Sequence, residues 1–442
     1  MADIEARTFK GTRDFLPEDM YIREKILTVL KSVFVRYGFA PLETPAVEYM
    51  DILTGKYGAD ADKLLYPLAY KGGKELALRY DLTVPLARVV AMNPQLPKPF
   101  KRYQIQPVWR ADSPQLQRGR YREFYQCDVD TVGSAELLTD AEIVALMVDV
   151  FSGLSIGTAQ VRLNSRKVLK GIISGLGFPS GSEQDVCRSI DKLAKEGLSL
   201  VTSELIKKGY PKHMAEPLTA LLKQKTFGAE GIAFLRKTVS QSPMLDEGLQ
   251  EIETICTLLN EMQVSSESAV FDFTLARGLD YYTGPIFEAD LIDKPHIGSV
   301  AGGGRYDDLV GLFLKESIPA VGVSFGLERI FSIVKSGQGA LEDTDSGLDC
   351  LMSFFSIEQR AECLRIARDL RNWGLRVEMY YKPDSMKKQF SYADKKRIPY
   401  VIVYGPDEHR SGIVAVKTMK TGTQETIPRA QLQDFAKRII SQ

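Results

Sequence analysis

The feature that most restricts how this chain can fold is a pair of strand-like runs, Phe100 to Val108 and Tyr121 to Val129, joined by a short, polar, arginine-rich loop. Strands joined this way, and not by a βαβ crossover, argue for antiparallel pairing. Other segments fit around them. Asp19 to Tyr37 carries Ile22, Ile26, Val29, Leu30, Val33 and Phe34 at helical spacing and is closed by Gly38-Phe39. A strand-like Phe39 to Pro45 follows, then a short unit over Lys63 to Tyr70 that turns at Lys71-Gly72-Gly73-Lys74 into a strand from Glu75 to Tyr80. Between Leu169 and Met262 helical patterns dominate, such as Glu183 to Lys195 and Gly248 to Met262, and the stretch reads as a helical insertion. Strand character returns at Phe271 to Leu275, Pro285 to Leu291 and Ala320 to Phe325, and the segment around Lys335 to Gly347 has linker composition. Beyond it, Leu348 to Phe355, Val377 to Tyr381 and Tyr400 to Tyr404 read as strands, separated by helices at Ile357 to Trp373 and Ser385 to Lys396. That alternation predicts a compact α/β unit of the parallel, wound kind. The fold class expected for the whole is α+β.

Composition narrows the setting. The 442 residues suggest about three domains at roughly 150 residues each. With 57 basic and 57 acidic residues and 44% hydrophobic content, neither a disordered tail nor a histone-like polycation fits. The five cysteines are widely spaced and never form C-x-x-C, which points to a reducing compartment with thiols as small core residues. The start of the chain has no apolar leader and no 18-residue apolar run occurs, so a cytoplasmic protein is expected. A zero balance does not exclude nucleic acid, because charge is clustered by region. Lys98 to Glu123 holds seven basic residues against two acids, and Asp345 to the end holds 17 against 12. No P-loop is present, since Gly55-Lys56 is followed by Tyr57, and His213, His296 and His409 are too scattered for a triad or a histidine metal site.

Four segments carry chemistry. In the first, Arg110 ends one strand and faces Arg120-Tyr-Arg-Glu-Phe124-Tyr-Gln126 on the next. Guanidinium forks grip phosphate oxygens and an aromatic ring stacks on a base, although the same alternation also suits a half-exposed strand. The second, Arg277-Gly-Leu-Asp280-Tyr281-Tyr282-Thr283-Gly284, combines a cation, an acid and two phenols, as a polar ligand pocket or as sheet packing would. The third, Gly302-Gly-Gly304-Arg305-Tyr306-Asp307, permits positive φ and close backbone approach, and taken alone reads as a tight turn. The fourth, Pro319 to Ile330, runs a small apolar strand through Gly326 into a helix whose first turn carries Glu328 and Arg329.

Together the four are far more specific than any one, and on them the chain resembles the class II aminoacyl-tRNA synthetases and, within these, the histidyl-tRNA synthetase family. The helix before Pro45 looks like motif 1, Phe100 to Val129 like motif 2 and Pro319 to Ile330 like motif 3. Arg277-Gly-Leu-Asp-Tyr-Tyr-Thr and Gly302-Gly-Gly-Arg-Tyr-Asp match the two histidine motifs, and Leu78-Arg-Tyr-Asp81-Leu-Thr83 matches the amino-acid-binding strand. The loop from Arg110 to Gly119 looks eukaryotic-type. The resemblance implies a class II antiparallel core at 1–168 and 263–335, the helical insertion at 169–262, and a C-terminal anticodon-binding domain at 345–442. It implies activation of L-histidine by ATP, carried with Mg²⁺, and transfer to tRNA(His) by a homodimer with no membrane partner. Arg110, Arg277 and Arg329 would be catalytic. Arg110, Arg120, Phe124 and Arg329 would bind ATP. Asp81, Thr83, Arg110, Gln126, Asp130, Arg277, Tyr281, Tyr282 and Tyr306 would bind histidine, and Gln115 and Gln117 would meet the tRNA. No resident metal is expected. The nearest rival is an inactive paralogue serving as a regulatory subunit or uncharged-tRNA sensor. The three arginines and the last domain, all present here, argue against it.

Overall fold

The computed structural model describes residues 4–54, 64–116, 119–191, 198–224, 226–240, 242–276, 281–314, 316–337, 347–354 and 356–441. It divides into two compact units, residues 1–14 with 25–341 and residues 15–24 with 342–442.

The first unit is built on an eight-stranded sheet ordered Ala40–Pro41, Phe100–Trp109, Glu123–Val132, Ala320–Gly326, Ala301–Arg305, Pro285–Leu291, Ala159–Ser165, Ala269–Phe271. The long strands at 100 and 123 pair antiparallel in the register Arg102↔Asp130, Gln104↔Asp128, Gln106↔Gln126, as their short connection requires. Antiparallel pairing continues through the interior, and only the two edge strands join in parallel. Two of these strands were not evident in the sequence: Ala159–Ser165, and the glycine-rich Ala301–Arg305. The expected strand at Phe271 to Leu275 ends at Phe271, where Ala269–Phe271 pairs with Val161 to Leu163.

Period-2 alternation gives this sheet two unlike faces. One is apolar: Cys127, Val129, Val323, Phe325, Ala289 and Leu163 are buried there. Helices cover that face, with the Phe34 ring 5.7 Å and the Phe151 ring 5.8 Å from that of Phe325. Phe151 belongs to the helix Leu137–Leu154, whose buried residues recur at helical spacing. The other face presents Gln126, Asp128 and Asp130 beside Arg102, Gln104, Ser324 and Gly322. A sheet face this polar, yet buried, is the exception that marks a site.

Smaller elements frame that face. Val47–Tyr49, Leu76–Leu78 and Tyr66–Leu68 form an antiparallel three-stranded sheet, and the last-named pair is the hairpin the sequence predicted. The chain then enters the helix Thr83–Met92, where Asp81 Oδ1 accepts from the Val84 N–H at 3.1 Å. Helices Arg166–Gly175, Glu183–Asp191, Leu198–Lys207, Lys212–Leu222, Gly228–Thr238 and Pro243–Glu261 fill the helical stretch.

In the second unit the sheet order is Val377–Met379, Cys350–Met352, Tyr400–Val403, Ile413–Thr418, Gln424–Pro428. The first three are parallel, as expected, with helices Arg360–Asn372 and Met386–Lys395 between them. The last two pair antiparallel, so the sheet is mixed and not wholly parallel. Ile413–Thr418 runs antiparallel to both its neighbours, and its pairing with the last strand follows from the turn at 419–423, closed by Thr418 N–H on Thr423 O at 2.9 Å with Gly422 at φ +73°.

Candidate active site

The polar face gathers most of the residues singled out from sequence. Asp130 lies across from Arg102, whose Nη2 is 2.9 Å from Asp130 Oδ2 and donates to the Leu82 carbonyl at 3.3 Å. The Tyr306 hydroxyl donates to Asp130 Oδ1. Tyr281 lies 4.6 Å from the Tyr282 ring and meets Tyr306 edge-on at 5.7 Å, so the three phenols form one wall. Gln126 Nε2 donates to Ser324 Oγ at 3.3 Å. Asp81 and Thr83 are both buried, and the Asp81 charge is felt by Asp128 and Asp130.

Electrostatics here are dominated by desolvation. Burial pushes the Asp128 carboxyl up to about 7, against the pull of Arg102, with Asp130 raising it further and a hydrogen bond from Ser324 lowering it. Burial likewise raises Asp130, opposed by Arg102 and by the Tyr306 hydrogen bond. Tyr282 and Tyr306 are held above the ordinary phenol range, first by burial and then by the Asp130 charge, and stay neutral donors. Three carboxyls that act on one another, two of them beside the Arg102 guanidinium, leave a floor suited to a cationic, hydrogen-bonding ligand.

The glycine run works differently from the sequence expectation of a tight turn. Gly302 to Gly304 lie in an extended strand, and none of them has a positive φ. A Cβ on Gly303 would collide with the Gly322 carbonyl oxygen, and one on Gly304 would sit 2.6 Å from Pro285 O and 3.0 Å from the Tyr282 ring. Glycine is needed for the closeness of neighbouring strands and for the phenol that leans over them. Arg305, next in line, points away into a structural cluster with Asp140, Ser134 O, Glu136 O, Thr139 and Asp307.

At the other end of the motif 2 strands, Arg110 Nε donates to the Tyr80 carbonyl at 3.1 Å, and its Cζ lies 5.0 Å from the Phe124 ring centre. Arg329 opens the helix Leu327–Lys335 and donates to the Ser299 carbonyl. Its neighbour Glu328 is buried, ion-paired to Arg13, and accepts from the Tyr125 N–H at 3.5 Å. That contact ties the motif 3 helix to the strand carrying Phe124 and Gln126. Gln115 and Arg120 are exposed and bridge each other through the backbone at 3.0 and 3.1 Å. Arg277 and Gln117 lie outside the described residues. Sequence reasoning missed Arg102, Asp128 and Ser324. The signal available was the i, i+2 series Gln126, Asp128, Asp130, which puts all three on one face.

An antiparallel sheet with one polar face, crossed by these three motifs, defines a class II aminoacyl-tRNA synthetase core. Comparison with known proteins is more particular. The family described as Histidyl-tRNA synthetase matches residues 11–330, and the one described as Anticodon binding domain matches residues 349–439. The Histidine--tRNA ligase of Cytophaga hutchinsonii is 41% identical over 94% of this chain and 96% of its own length. That of Porphyromonas gingivalis is 40% identical over 95% of this chain and 96% of its own. The crystal structure of histidyl-tRNA synthetase from Nostoc sp. PCC 7120 superposes with a TM-score of 0.87 at 32% identity, covering 99% of this chain and 100% of that one. The chain belongs to the histidyl-tRNA synthetase family. A Bacillus halodurans protein titled as an ATP phosphoribosyltransferase regulatory subunit/histidyl-tRNA synthetase shares the fold, with a TM-score of 0.72 at 24% identity. The organisms named are bacteria, so the eukaryotic-type look of the loop at 110–119 occurs in a chain with bacterial relatives.

Proposed function

We propose that this chain activates L-histidine with ATP to histidyl-adenylate and pyrophosphate, then passes the histidyl group to the 3′ end of tRNA(His). The observation that carries the reading is a polar sheet face with Asp130 held by Tyr306 at one end and Arg110 against the Phe124 ring at the other, beside the helix that carries Arg329. The first end suits an imidazole, which offers one donor and one acceptor, or two donors when charged. The other suits a nucleoside triphosphate.

In the first step the histidine carboxylate attacks the α-phosphorus in line and pyrophosphate leaves with the bonding pair. In the second, a terminal ribose hydroxyl of the tRNA attacks the carbonyl and AMP leaves. The work for the protein is positioning and charge neutralisation. Arg110 would hold the α-phosphate, Arg329 the γ-phosphate and adenine, and Arg277 both the carboxylate and the α-phosphate. Phe124 would stack on the adenine, with Arg120 assisting. Asp81, Thr83 and Gln126 would take the α-amino end, while Asp130 and Tyr282 hold the ring nitrogens and Tyr281 and Tyr306 shape the pocket. The side chains assigned to the phosphates, Arg110, Arg277 and Arg329, are cations that would neutralise them directly. Mg²⁺ would arrive with ATP as a substrate ion.

Residues 1–168 with 263–335 would form the catalytic core, 169–262 the insertion, and 345–442, with 17 basic residues to 12 acidic, the anticodon reader. Exposed Gln115, with Gln117, would meet the acceptor end. A homodimer is supported by the exposed apolar Val47, Tyr49 and Tyr70 about the small sheet. Among the described residues no helix is long and apolar enough to cross a membrane. The test is amino-acid-dependent ATP–pyrophosphate exchange with each of the twenty amino acids and no tRNA. Exchange with histidine alone is expected, and folded protein giving none would overturn the reading.

A further inference from the structure

Among the described residues, four buried side-chain oxygens on the strand Glu123–Val132 have no hydrogen-bond partner, Gln126 Oε1, Asp128 Oδ1, Asp130 Oδ2 and Thr131 Oγ1, and of these Asp130 Oδ2 has the Arg102 ion pair. Two residues apart, Gln126 and Asp128 share a sheet face and stand roughly 7 Å from each other along the strand. Leaving such atoms unpaired costs free energy in the empty protein, and native structures keep few of them. Asp128 is only 3% exposed, so bulk water does not satisfy it. Nor does Arg102, whose ion pair is with Asp130. Ser324 gives Asp128 a hydrogen bond and donates no second one to its free oxygen. The Asp81 carboxylate, buried as well, acts on Asp128 from the neighbouring segment.

We propose that Asp128 binds the α-ammonium of the amino acid, its Oδ1 completing a three-acceptor cradle with Gln126 Oε1 and the Asp81 carboxylate. This rests on the histidine-activating reading and adds a residue to it. An ammonium carries three donors and no acceptor, which is the complement of three converging acceptors. Position agrees: Asp128 sits between Gln126, at the amino end of the pocket, and Asp130, at the ring end. Charge agrees too, because the Asp81, Asp128 and Asp130 carboxyls act on one another here, and a bound cation offsets their repulsion. The cradle makes the site selective for an amino acid over its hydroxy-acid analogue, whose hydroxyl brings one donor and no charge.

The test compares L-histidine with L-β-imidazolelactate, which keeps the ring and carboxylate but replaces the ammonium with a hydroxyl. Histidine KM comes from exchange, and the analogue's Ki from competition in the same assay. In Asp128→Asn the histidine KM should rise about 30-fold, while the analogue's Ki moves by less than about threefold, since a charge-assisted hydrogen bond is lost only for histidine. Asp130→Asn, which disturbs the ring contact, should weaken both ligands together. Ser324→Ala serves as a second variant, and should shift histidine in the same direction by about fivefold with the analogue again spared. Equal weakening of both ligands in Asp128→Asn, or in Ser324→Ala if the first variant does not fold, would overturn the assignment, as would an unchanged histidine KM. Wild-type protein with no histidine-dependent exchange would overturn the functional reading itself.

Discussion

Two buried arginine–carboxylate clusters lie in the same unit, and they are finished to different degrees. Arg305 meets Asp140, Thr139, Asp307 and the carbonyls of Ser134 and Glu136, and the Asp140 side chain is fully buried against it. Arg102 meets Asp130 and the Leu82 carbonyl, while its Nε and Nη1, and Asp128 Oδ1 beside them, have no partner. A saturated cluster is a fastener. An unsaturated one has kept its hydrogen-bonding capacity for something that arrives later. In sequence the two are hard to tell apart, and Arg305, embedded between Gly304 and Tyr306, looks the more functional.

Three perturbations would break or sharpen that contrast. The largest effect is expected from Arg305→Ala, which strands Asp140 in the interior and should cost about 3–5 kcal/mol of stability, read as a fall in Tm. If Tm held while exchange vanished, Arg305 would belong to the site and the contrast would fail. Next, Arg277→His should lower the single-turnover rate of adenylate formation about 100-fold, with the histidine dissociation constant nearly unchanged. A rate within about twofold of the parent would remove Arg277 from the chemistry.

The smallest effect concerns the cost of an unfinished cluster. Asp128 titrates near 7 when folded, well above an ordinary carboxyl, because burial disfavours its charge. The native state then holds a proton that the unfolded chain has already lost. Stability from this group is full below the ordinary carboxyl range, near pH 4, and disappears as pH rises through about 7. Without ligand, Asp128→Asn should therefore match the parent in Tm at pH 4 and exceed it by a few degrees at pH 8. Equal Tm differences at both pH values would mean that Asp128 is not desolvated as described. Histidine should narrow the gap at pH 8 by stabilising the parent preferentially.

How much of this was legible follows from where patterns survive. The strands at 100–109 and 123–132, and the helix Pro17–Arg36, could be read because apolar residues recur at the right period over many residues. Asp81, Gln126, Asp130, Tyr282 and Tyr306 were legible as motif members, and the fold brings them to one face. Ala301–Arg305 was not, because three glycines leave no side chains from which to read a period. Arg102 was counted only as one of a run of basic residues, and nothing local says that it is wholly buried. Asp128 was passed over between two recognised neighbours. Its importance lies in an absent partner, which only three dimensions reveal.

The glycine strand has one more consequence. Along this strand main chain lies against main chain, with Gly303 against Gly322 and, beneath the Tyr282 ring, Gly304 against Pro285. Substitution there cannot deepen or fill the cavity by degrees, since the first added carbon already overlaps a neighbour. Evolution of a new amino-acid preference would have to proceed through the walls, at Asp128, Asp130, Tyr281 and Tyr282, while the base stays as it is. A library that randomised 303 and 304 would return mostly unfolded protein, and one aimed at the walls would return altered selectivity.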